Sequence, residues 1–349
     1  MSVTKQSFGR TSDGREATLY ILENTNGYQA KVTDFGATLV SVMAPDRNGN
    51  MLDVVLGYDD APGYEGGTCY QGAVVGRVAN RIANASVTIN GVDYALTANN
   101  KTNSLHGGRD FYSKRYWTEV DLTDNSVQFE LVSPHMDQGY PGEAVIRIRY
   151  TLTEENAVEL DYYAVADQNT VIAMTNHSYF NLKGYGTTED HELWLDADTF
   201  TDIDERVIPT GELVDVTGTP MDFRTPKLLS KECDADYRPL QLTNGYDHNW
   251  VINGEGYRKF ASFYCKETGI GFQVFTDMPG VQFYAGNNLK GQAGKGGRPL
   301  AFRTGTCFET QFYPDAVHQP AFPSPFLKAG EAYAHKTAYR FYQADEIRI

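Results

Sequence analysis

Strand patterns run through almost the whole sequence, and no long segment has the hydrophobic period of an amphipathic helix. Five segments alternate apolar with polar residues or are rich in β-branched and aromatic residues, which is typical of half-buried strands. They are 18–22, 29–32, 127–131, 145–150 and 158–162. Turn signals of the Asn-Gly type, which suit hairpins that need a positive φ, lie at 48–49, 90–91, 244–245 and 253–254. The pattern predicts an all-β chain, built as a large antiparallel β-sandwich with few short helices.

Size and charge limit the domain organisation and the partners. The chain has 349 residues, 41% of them hydrophobic, which is ample for a large core. No flexible linker, low-complexity run or internal repeat divides it, so we predict a single domain over 1–349. The formal charge of −15 argues against nucleic acid or an anionic membrane surface as a partner, because both would repel the protein.

The first residues and the cysteines bear on location and redox state. No basic start followed by an apolar stretch opens the sequence, and no later stretch is long enough to span a bilayer, so we expect a cytoplasmic protein. The four cysteines are too widely separated for a compact zinc site or a dense disulfide framework. We therefore expect free thiols at Cys69, Cys233, Cys265 and Cys307.

The segment 170–182 contains the first candidate site residue. Its two-residue period places residues such as Ile172 and Met174 on one face and Thr175 and His177 on the other. This predicts a strand with one core face and one wetter face. Taken alone, His177 reads as a hydrogen-bonded sheet histidine, and a functional role requires that other polar groups converge on it.

Three further segments combine polar side chains with glycines or aromatic residues. Segment 76–82 holds two arginines and an asparagine, which suit either a surface ion pair or contacts to hydroxyls and carboxylates. In 103–108, His106 precedes two glycines, which form either a plain turn or a loop that approaches a ligand. Segment 245–250 groups an acid, a histidine, an amide and two aromatic residues. It is either a capped turn or a sugar site, since carboxylates accept hydrogen bonds from hydroxyls and rings cover C–H patches.

The last candidate segment is a predicted strand near the C-terminus. Its odd positions place Arg303, Glu309 and Gln311 on one face, opposite two phenylalanines. A carboxylate in so apolar a segment is costly unless it is paired. Glu309 is therefore either a salt-bridged structural residue or a working base.

Taken together in chain order, the five segments resemble the galactose mutarotase (aldose 1-epimerase) family. The motifs are Gly-Arg-Val-Ala-Asn-Arg-Ile, Asn-Ser-Leu-His-Gly-Gly, Thr-Asn-His-Ser-Tyr-Phe-Asn-Leu, Tyr-Asp-His-Asn and Phe-Glu-Thr-Gln-Phe-Tyr-Pro-Asp-Ala. The similarity also includes 139–142, 207–211 and 280–284, and runs from about residue 35 to the C-terminus. It implies a galactose mutarotase-like supersandwich and an isomerase of carbohydrate and galactose metabolism. Such an enzyme interconverts the anomers of a free monosaccharide, such as galactose or glucose, without a cofactor or a metal.

The resemblance also implies a role for individual residues. Glu309 is similar to the family's general base and His177 to its general acid. The residues implied to contact the sugar are His106 near the ring oxygen, Asp247, Arg81, Gln282 and Asn80. A histidine is mostly neutral at pH 7, so His177 needs a raised pKa to act as a general acid. We expect a nearby carboxylate to raise it. One departure from the family pattern, His135-Met136, lies in a loop expected to shape the rim of the site.

The residues alone leave other functions open. Two histidines and a glutamate form a metal triad in some oxygenases, and Asp247 with Glu309 would suit a glycosidase carboxylate pair. A sugar-binding protein without catalysis is a third possibility. Within the resemblance, the alternative is a mutarotase for another free sugar such as xylose, arabinose or maltose.

Overall fold

The computed structural model describes residues 1–349, and its regular structure is almost entirely β. The first fifteen strands are β1 (Ser2–Arg10), β2 (Glu16–Glu23), β3 (Gln29–Thr33), β4 (Thr38–Pro45), β5 (Met51–Asp53), β6 (Val74–Val75), β7 (Arg81–Ile82), β8 (Ser86–Ile89), β9 (Val92–Ala95), β10 (Ser104–Leu105), β11 (Thr118–Leu122), β12 (Ser126–Ser133), β13 (Ala144–Leu152), β14 (Ala157–Ala166) and β15 (Thr170–Val171). The others are β16 (Thr175–Asn176), β17 (Tyr179–Phe180), β18 (His191–Leu195), β19 (Thr199–Ile203), β20 (Pro209–Asp215), β21 (Lys227–Leu228), β22 (Asp247–Val251), β23 (Arg258–Cys265), β24 (Ile270–Thr276), β25 (Gly280–Tyr284), β26 (Gln292–Ala293), β27 (Pro299–Leu300), β28 (Thr306–Gln311), β29 (Phe326–Leu327) and β30 (Ala332–Gln343). The two α-helices are α1 (Ala61–Gly66) and α2 (Arg238–Thr243), and neither has the length or apolar character that crossing a membrane requires.

Three antiparallel sheets dominate the architecture. The nine-stranded sheet has the order β11-β12-β13-β14-β30-β24-β23-β18-β21, and the six-stranded sheet has the order β17-β28-β25-β22-β19-β20. The N-terminal strands form a five-stranded sheet in chain order, β1 to β5. The remaining strands form short two-stranded ladders. This arrangement confirms the predicted all-β antiparallel class with few short helices.

Both smaller sheets pack on the same face of the nine-stranded sheet. Tyr20 of β2 contacts Phe129 of β12, with ring centroids 5.2 Å apart. At the other end, Phe272 of β24 contacts Phe308 of β28, with centroids 5.4 Å apart. The strand registers place Phe129 and Phe272 on one face, because directly opposed residues in an antiparallel sheet share a face. The core therefore lies between the large sheet and its two partners, as in a sandwich.

The six-stranded sheet has one aromatic face and one polar face. Trp250, Phe283 and Phe308 lie on the aromatic face and are buried in the core. The opposite face holds two rows of paired residues, namely Asp247, Tyr284 and Cys307, and Asn249, Gln282 and Glu309. This polar face is where the candidate site is built.

The predicted strands are confirmed, whereas the predicted turns are only partly right. All five segments lie within strands, namely β2, β3, β12, β13 and β14. The pairs at 48–49 and 90–91 connect the β4–β5 and β8–β9 hairpins. By contrast, Asn244 ends α2 in the left-handed conformation, and 253–254 joins β22 to β23 in different sheets. Asn and Gly adopt positive φ at helix ends as readily as in hairpins, so the local signal does not distinguish them.

The prediction of one amphipathic strand over 170–182 is wrong. The segment contains three two-residue strands, β15, β16 and β17, and each pairs with a different partner. Every residue from 170 to 182 is buried, so there is no wetter face. The segment crosses between ladders, where polar groups satisfy one another. For example, the side chain of Asn176 donates to the carbonyl of Gly72 and accepts from the backbone N–H of Ser178.

Candidate active site

Glu309 and His177 form the centre of the candidate site. Glu309 lies on the polar face of β28, and His177 lies in the link between β16 and β17. Because β17 pairs with β28, the two side chains are brought together. Nε2 of His177 is 3.7 Å from Oε1 of Glu309. The residues are only 4% and 2% exposed, so a potential acid and a potential base lie side by side with little access to bulk water.

His106 lies against His177 and is held by the backbone of Asn80. The two imidazole centroids are 5.3 Å apart. The N–H of Asn80 donates to Nδ1 of His106 over 3.1 Å, and the N–H of His106 donates to the carbonyl of Asn80 over 2.9 Å. An N–H group can only donate, so Nδ1 must accept and the proton of neutral His106 is on Nε2. His106 therefore presents a hydrogen-bond donor on its other side.

Asp247 and Arg81 supply opposite charges beside this pair. Nε2 of Gln282 donates to Oδ1 of Asp247 over 2.7 Å, which orients the carboxylate. Burial raises the pKa of both Asp247 and Glu309, and the positive charge of Arg81 partly offsets this rise for both groups, so its guanidinium lies near them. The N–H of Arg81 also donates to Oδ1 of Asn80. The structure thus brings all seven residues that the sequence predicted for the site close together.

An aromatic ring covers the two histidines. Tyr70 lies edge to face against His106, with centroids 4.7 Å apart, and is stacked over His177 at 5.8 Å. It also contacts Phe111, with centroids 5.1 Å apart. These contacts help to hold the two imidazole rings in place.

Several polar atoms of the polar face have no partner within the protein. They are Oε2 of Glu309, Oε1 of Gln282 and both amide atoms of Asn249 and Gln311. Nε of Arg81, in β7, is a further unpartnered atom. Buried polar atoms are costly when unpaired, at about 1–3 kcal/mol each. Hydroxyl groups both donate and accept, so this set suits a ligand or solvent rich in hydroxyls.

Burial controls the protonation of the central pair. It lowers the pKa of His177 to about 4, and no carboxylate reverses this effect. The expectation that a carboxylate would raise the pKa of His177 is therefore wrong, because desolvation of the imidazolium dominates. Burial also raises the pKa of Glu309 well above its ordinary value, with a further contribution from the charge of Asp247. A carboxylate with a raised pKa is a stronger base, and an imidazolium with a lowered pKa is a stronger acid.

The central residues do not fit a metal centre, although they are close enough for one. One ligand atom from each of His106, His177 and Glu309 lies within 4.8 Å of the others. To bind a metal through Nε2, neutral His106 would have to carry its proton on Nδ1. That atom already faces the N–H of Asn80, and two N–H groups would point at each other. The donor set therefore lacks one of the lone pairs that a three-residue metal site needs.

Comparison with known proteins agrees with this architecture. Residues 18–340 match the family model of aldose 1-epimerases. This chain belongs to the aldose 1-epimerase family. Galactose mutarotase of Bos taurus is 42% identical over 345 residues, which cover 98% of this chain and 99% of that protein. Aldose 1-epimerase of Escherichia coli K12 is 36% identical over 336 residues, which cover 94% and 96%. The solved structure of a GalM/aldose epimerase homologue from C. elegans matches with a TM-score of 0.88 at 33% identity, covering 94% of this chain and 99% of that one. The family resemblance predicted from the motifs is thus confirmed.

Two arginines of the candidate segments have structural roles in this epimerase fold. Arg77 is buried, and it donates to the carbonyls of Pro141 and Gly142 and to the hydroxyl of Ser133. It thereby holds the loop between β12 and β13. Arg303 precedes β28 instead of sharing its polar face.

A second cluster of potential metal ligands surrounds the guanidinium of Arg303. Glu189, Cys233 and Asp234 are the residues concerned. Arg303 donates to Oε1 of Glu189 over 2.9 Å and to Oδ1 of Asp234 over 2.6 Å. The guanidinium of Arg303 already pairs with the carboxylates of this cluster. These contacts hold the side chain of Arg303 outside the candidate site.

The loop that departs from the family pattern is hydrogen-bonded to the segment that follows His106. Nδ1 of His135 accepts from the N–H of Gly142, and Met136 is exposed. The side chain of Gln138 accepts from the backbone N–H groups of Arg109 and Asp110, which follow the His106 loop. The departure therefore affects a loop that is directly bonded to one wall of the site.

Two residues of the site were not found from the sequence. Tyr70 belongs to none of the polar segments, and only its position just before the glycine-containing run at 72–76 hints at a role. Cys307 was predicted only as a free thiol, and all four cysteines are indeed free. Its position two residues before Glu309 places both side chains on one strand face, which is a signal that the sequence does contain.

Proposed function

We propose that this chain is an aldose 1-epimerase that interconverts the α and β anomers of free hexoses such as galactose and glucose. The observation that supports this best is the distance of 3.7 Å between Nε2 of His177 and Oε1 of Glu309 in a buried polar site. A pyranose is a cyclic hemiacetal, so anomer exchange requires one group to deprotonate the anomeric hydroxyl and one to protonate the ring oxygen. The family membership and the names of the relatives support the same activity.

In the proposed mechanism, Glu309 is the general base and His177 is the general acid. Glu309 takes the proton of the anomeric hydroxyl while Nε2 of His177 protonates the ring oxygen, and the bond between C1 and the ring oxygen breaks. Rotation about the C1–C2 bond of the open aldehyde presents its other face. Glu309 then returns its proton to the carbonyl oxygen, and His177 recovers the proton from the C5 hydroxyl as the ring closes. Both residues end in their starting states.

The pair needs one proton in total for this cycle. In the closed-ring stage the proton is on His177 and Glu309 is ionised, whereas in the open-chain stage His177 is neutral and Glu309 is protonated. Burial disfavours both charges, as the directions of the two pKa shifts indicate. It therefore favours the open-chain arrangement over the ion pair and promotes proton transfer to and from the sugar.

The other predicted residues would hold the sugar. Asp247, oriented by Gln282, suits two hydroxyls, and Arg81 would donate to neighbouring hydroxyls. His106 presents its Nε2–H on the side away from Asn80, where it would donate near the ring oxygen. A ring held at several points brings its reacting atoms into register with the acid and the base, which is a large part of catalysis.

Polarimetry on freshly dissolved α-D-galactose and α-D-glucose tests this proposal. Acceleration of the approach to anomeric equilibrium, unchanged by a chelator, is the expected result. Acceleration that the chelator abolishes would overturn the metal-free mechanism. No acceleration with either hexose would overturn the hexose assignment, and xylose, arabinose and maltose would then be assayed.

Two further assays separate the other functions. Release of chromophore from aryl glycosides would indicate a glycosidase that uses Asp247 and Glu309. Sugar binding without any acceleration would indicate a non-catalytic binding protein. The single-domain organisation and the cytoplasmic location stay predictions from the sequence.

A further inference from the structure

Two tyrosine rings lie almost parallel to the imidazole of His177. The centroid of Tyr179 is 5.0 Å from that of the imidazole, with 23° between the planes, and the centroid of Tyr70 is 5.8 Å away, with 22° between the planes. His191 has one such ring, Phe263, and the other ring contacts of histidines are edge-on or nearly so. The proposed general acid is thus the histidine with the most stacked rings.

Backbone hydrogen bonds fix Tyr70 beside His177. The N–H of His177 donates to the carbonyl of Ala73 over 3.0 Å, and the N–H of Gly72 donates to the carbonyl of His177 over 2.9 Å. The N–H of Ala73 also donates to the carbonyl of Tyr70 over 3.0 Å, which closes a turn that begins at Tyr70. This turn is therefore attached to the backbone of His177 and brings the ring of Tyr70 to the imidazole.

Tyr179 is held next to the strand that carries the proposed base. It lies in β17, two residues after His177, and pairs with Cys307 of β28. Its carbonyl accepts from the N–H of Leu56 over 2.9 Å, and its side chain is buried. Glu309 lies two residues after Cys307 in the same strand. The ring of Tyr179 is therefore a fixed part of the wall around the acid and the base.

The face of an aromatic ring attracts a cation, because the ring quadrupole is negative above and below the ring plane. The attraction extends to about 6 Å from the centroid and is strongest where water is excluded. His177 is buried, and both tyrosine centroids lie within this range. A ring face cannot take the proton from the imidazolium, so it stabilises the charge without competing for the proton. It also acts less strongly than a carboxylate such as that of Asp315, which raises the pKa of His318.

We propose that Tyr179 and Tyr70 are positioning residues whose ring faces stabilise the imidazolium form of His177. The catalytic meaning of these contacts rests on the proposed function, whereas their effect on the imidazolium does not. In the closed-ring stage of the proposed cycle, the proton is on His177 and Glu309 is ionised. Burial disfavours this arrangement, and the two ring faces bring it within reach. The pKa of His177 still lies below its ordinary value, so the imidazolium remains a strong acid.

Few charged groups compete with the rings. The titratable groups that face His177 are Glu309, Cys307, His106, Tyr70, Tyr179 and Tyr284. Burial raises the pKa values of the thiol and the three tyrosines and lowers that of His106, so these five are neutral at pH 7. The guanidinium of Arg81, which acts on Glu309 and His106, keeps its charge throughout. A change in a tyrosine ring should therefore act on His177 with only Glu309 as a titrating neighbour.

The first experiment weakens a ring face and keeps its shape. Tyr179→Phe removes only the hydroxyl, and 3,4,5-trifluorophenylalanine at the same position then withdraws electrons from the ring face. Carbon-13 NMR of histidine-labelled protein gives the titration midpoint of His177, whose signals are those lost in His177→Asn. We expect the fluorinated protein to have a midpoint about half a pH unit or more below that of Tyr179→Phe, because the imidazolium loses attraction. An unchanged midpoint would overturn the proposal, whatever the activity of the protein.

Phe263 provides the matched control. It stacks on His191 with centroids 5.0 Å apart and 25° between the planes, which is close to the geometry of Tyr179 on His177. The two control residues lie in β23 and β18 of the nine-stranded sheet. Trifluorophenylalanine at position 263 should leave the midpoint of His177 and kcat unchanged. An equal shift of His177 in this protein would show a general effect of fluorination and would overturn the assignment to Tyr179.

The second experiment measures the effect on catalysis by polarimetry. Weaker ring faces should lower the plateau of kcat/KM and move its acid limb, where the rate falls at low pH, to lower pH by the same factor, since both depend on the imidazolium. We expect a loss of about threefold or more for the fluorinated Tyr179 protein and about tenfold for Tyr179→Leu. Fluorination at Tyr70, whose ring is farther away, should act in the same direction but less.

The outcomes separate the proposal from its alternatives. A fall in kcat/KM with a fixed acid limb would show that the rings only pack against His177, and would overturn the proposal. Absence of mutarotation in the wild type would overturn the proposed function alone, because the titration midpoint of His177 is measured without sugar.

Discussion

Replacing Glu309 by glutamine should move activity and stability in opposite directions. The amide has the shape of the carboxylate but cannot accept a proton at neutral pH. A positioned base contributes on the order of a hundred- to ten-thousand-fold, so we expect kcat to fall at least about a hundredfold. This corresponds to about 2.7 kcal/mol or more in the activation free energy. KM should change little, because Asp247 and its neighbours still hold the sugar.

The stability effect follows from the raised pKa of Glu309 in the folded state. A carboxyl with a raised folded pKa contributes stability below its unfolded pKa, and that contribution is lost as the pH rises through the folded pKa. At pH 7 the unfolded carboxyl is ionised, so folding must either bury the charge, with Oε2 unpartnered, or take up a proton, and both cost free energy. Glu309→Gln removes this effect, so the variant should be at least as stable as the wild type at pH 7. The difference should shrink toward pH 4, where the wild-type carboxyl is mostly protonated in both states.

Polarimetry and urea unfolding at the two pH values test both halves of the prediction. Glu192→Gln is a suitable control because it removes a carboxylate from β18 of the nine-stranded sheet, away from the candidate site. It should keep wild-type turnover. Turnover of Glu309→Gln within tenfold of the wild type would remove Glu309 from the role of base. A clear loss of stability at pH 7 would instead show that the carboxylate is satisfied in the fold, against the electrostatic reasoning.

Four further predictions have defined outcomes. The wild-type pH profile of kcat/KM should fall on the acid side near pH 4 and on the alkaline side above the ordinary range of a glutamate, because the pair must hold one proton. His177→Asn should remove the acid limb and cut kcat at least about a hundredfold, and near-normal turnover would exclude it as the acid. Gln282→Leu breaks the 2.7 Å bond that orients Asp247, so KM should rise about tenfold or more, and an unchanged KM would count against sugar binding by that pair. Arg77→Met leaves buried carbonyls without donors and should lower the free energy of unfolding by about 3 kcal/mol or more in urea titrations, a loss that Arg206→Met on an exposed turn should not reproduce.

The parts of the site that depend on local pattern could be predicted from the sequence. Glu309 stood out because a carboxylate in an apolar strand needs an explanation, and the ordered motifs identified the family and predicted seven site residues. Cys307 was missed although the same two-residue period places it beside Glu309. A buried thiol is usually interpreted as a packing residue unless its neighbour is known. The neighbour of Cys307 is His177, which lies 130 residues away in the chain.

The sequence by itself determined the class of fold, because alternation of apolar and polar residues is a local property that selects strands directly. It did not determine that 170–182 is broken among three ladders, since periodicity records which side chains are apolar and not which strand lies beside them. Nor did it determine the protonation of the central pair. The pKa of His177 depends on burial by distant segments of the chain. Only the tertiary structure brings these segments together, and only there does desolvation outweigh the nearby carboxylate.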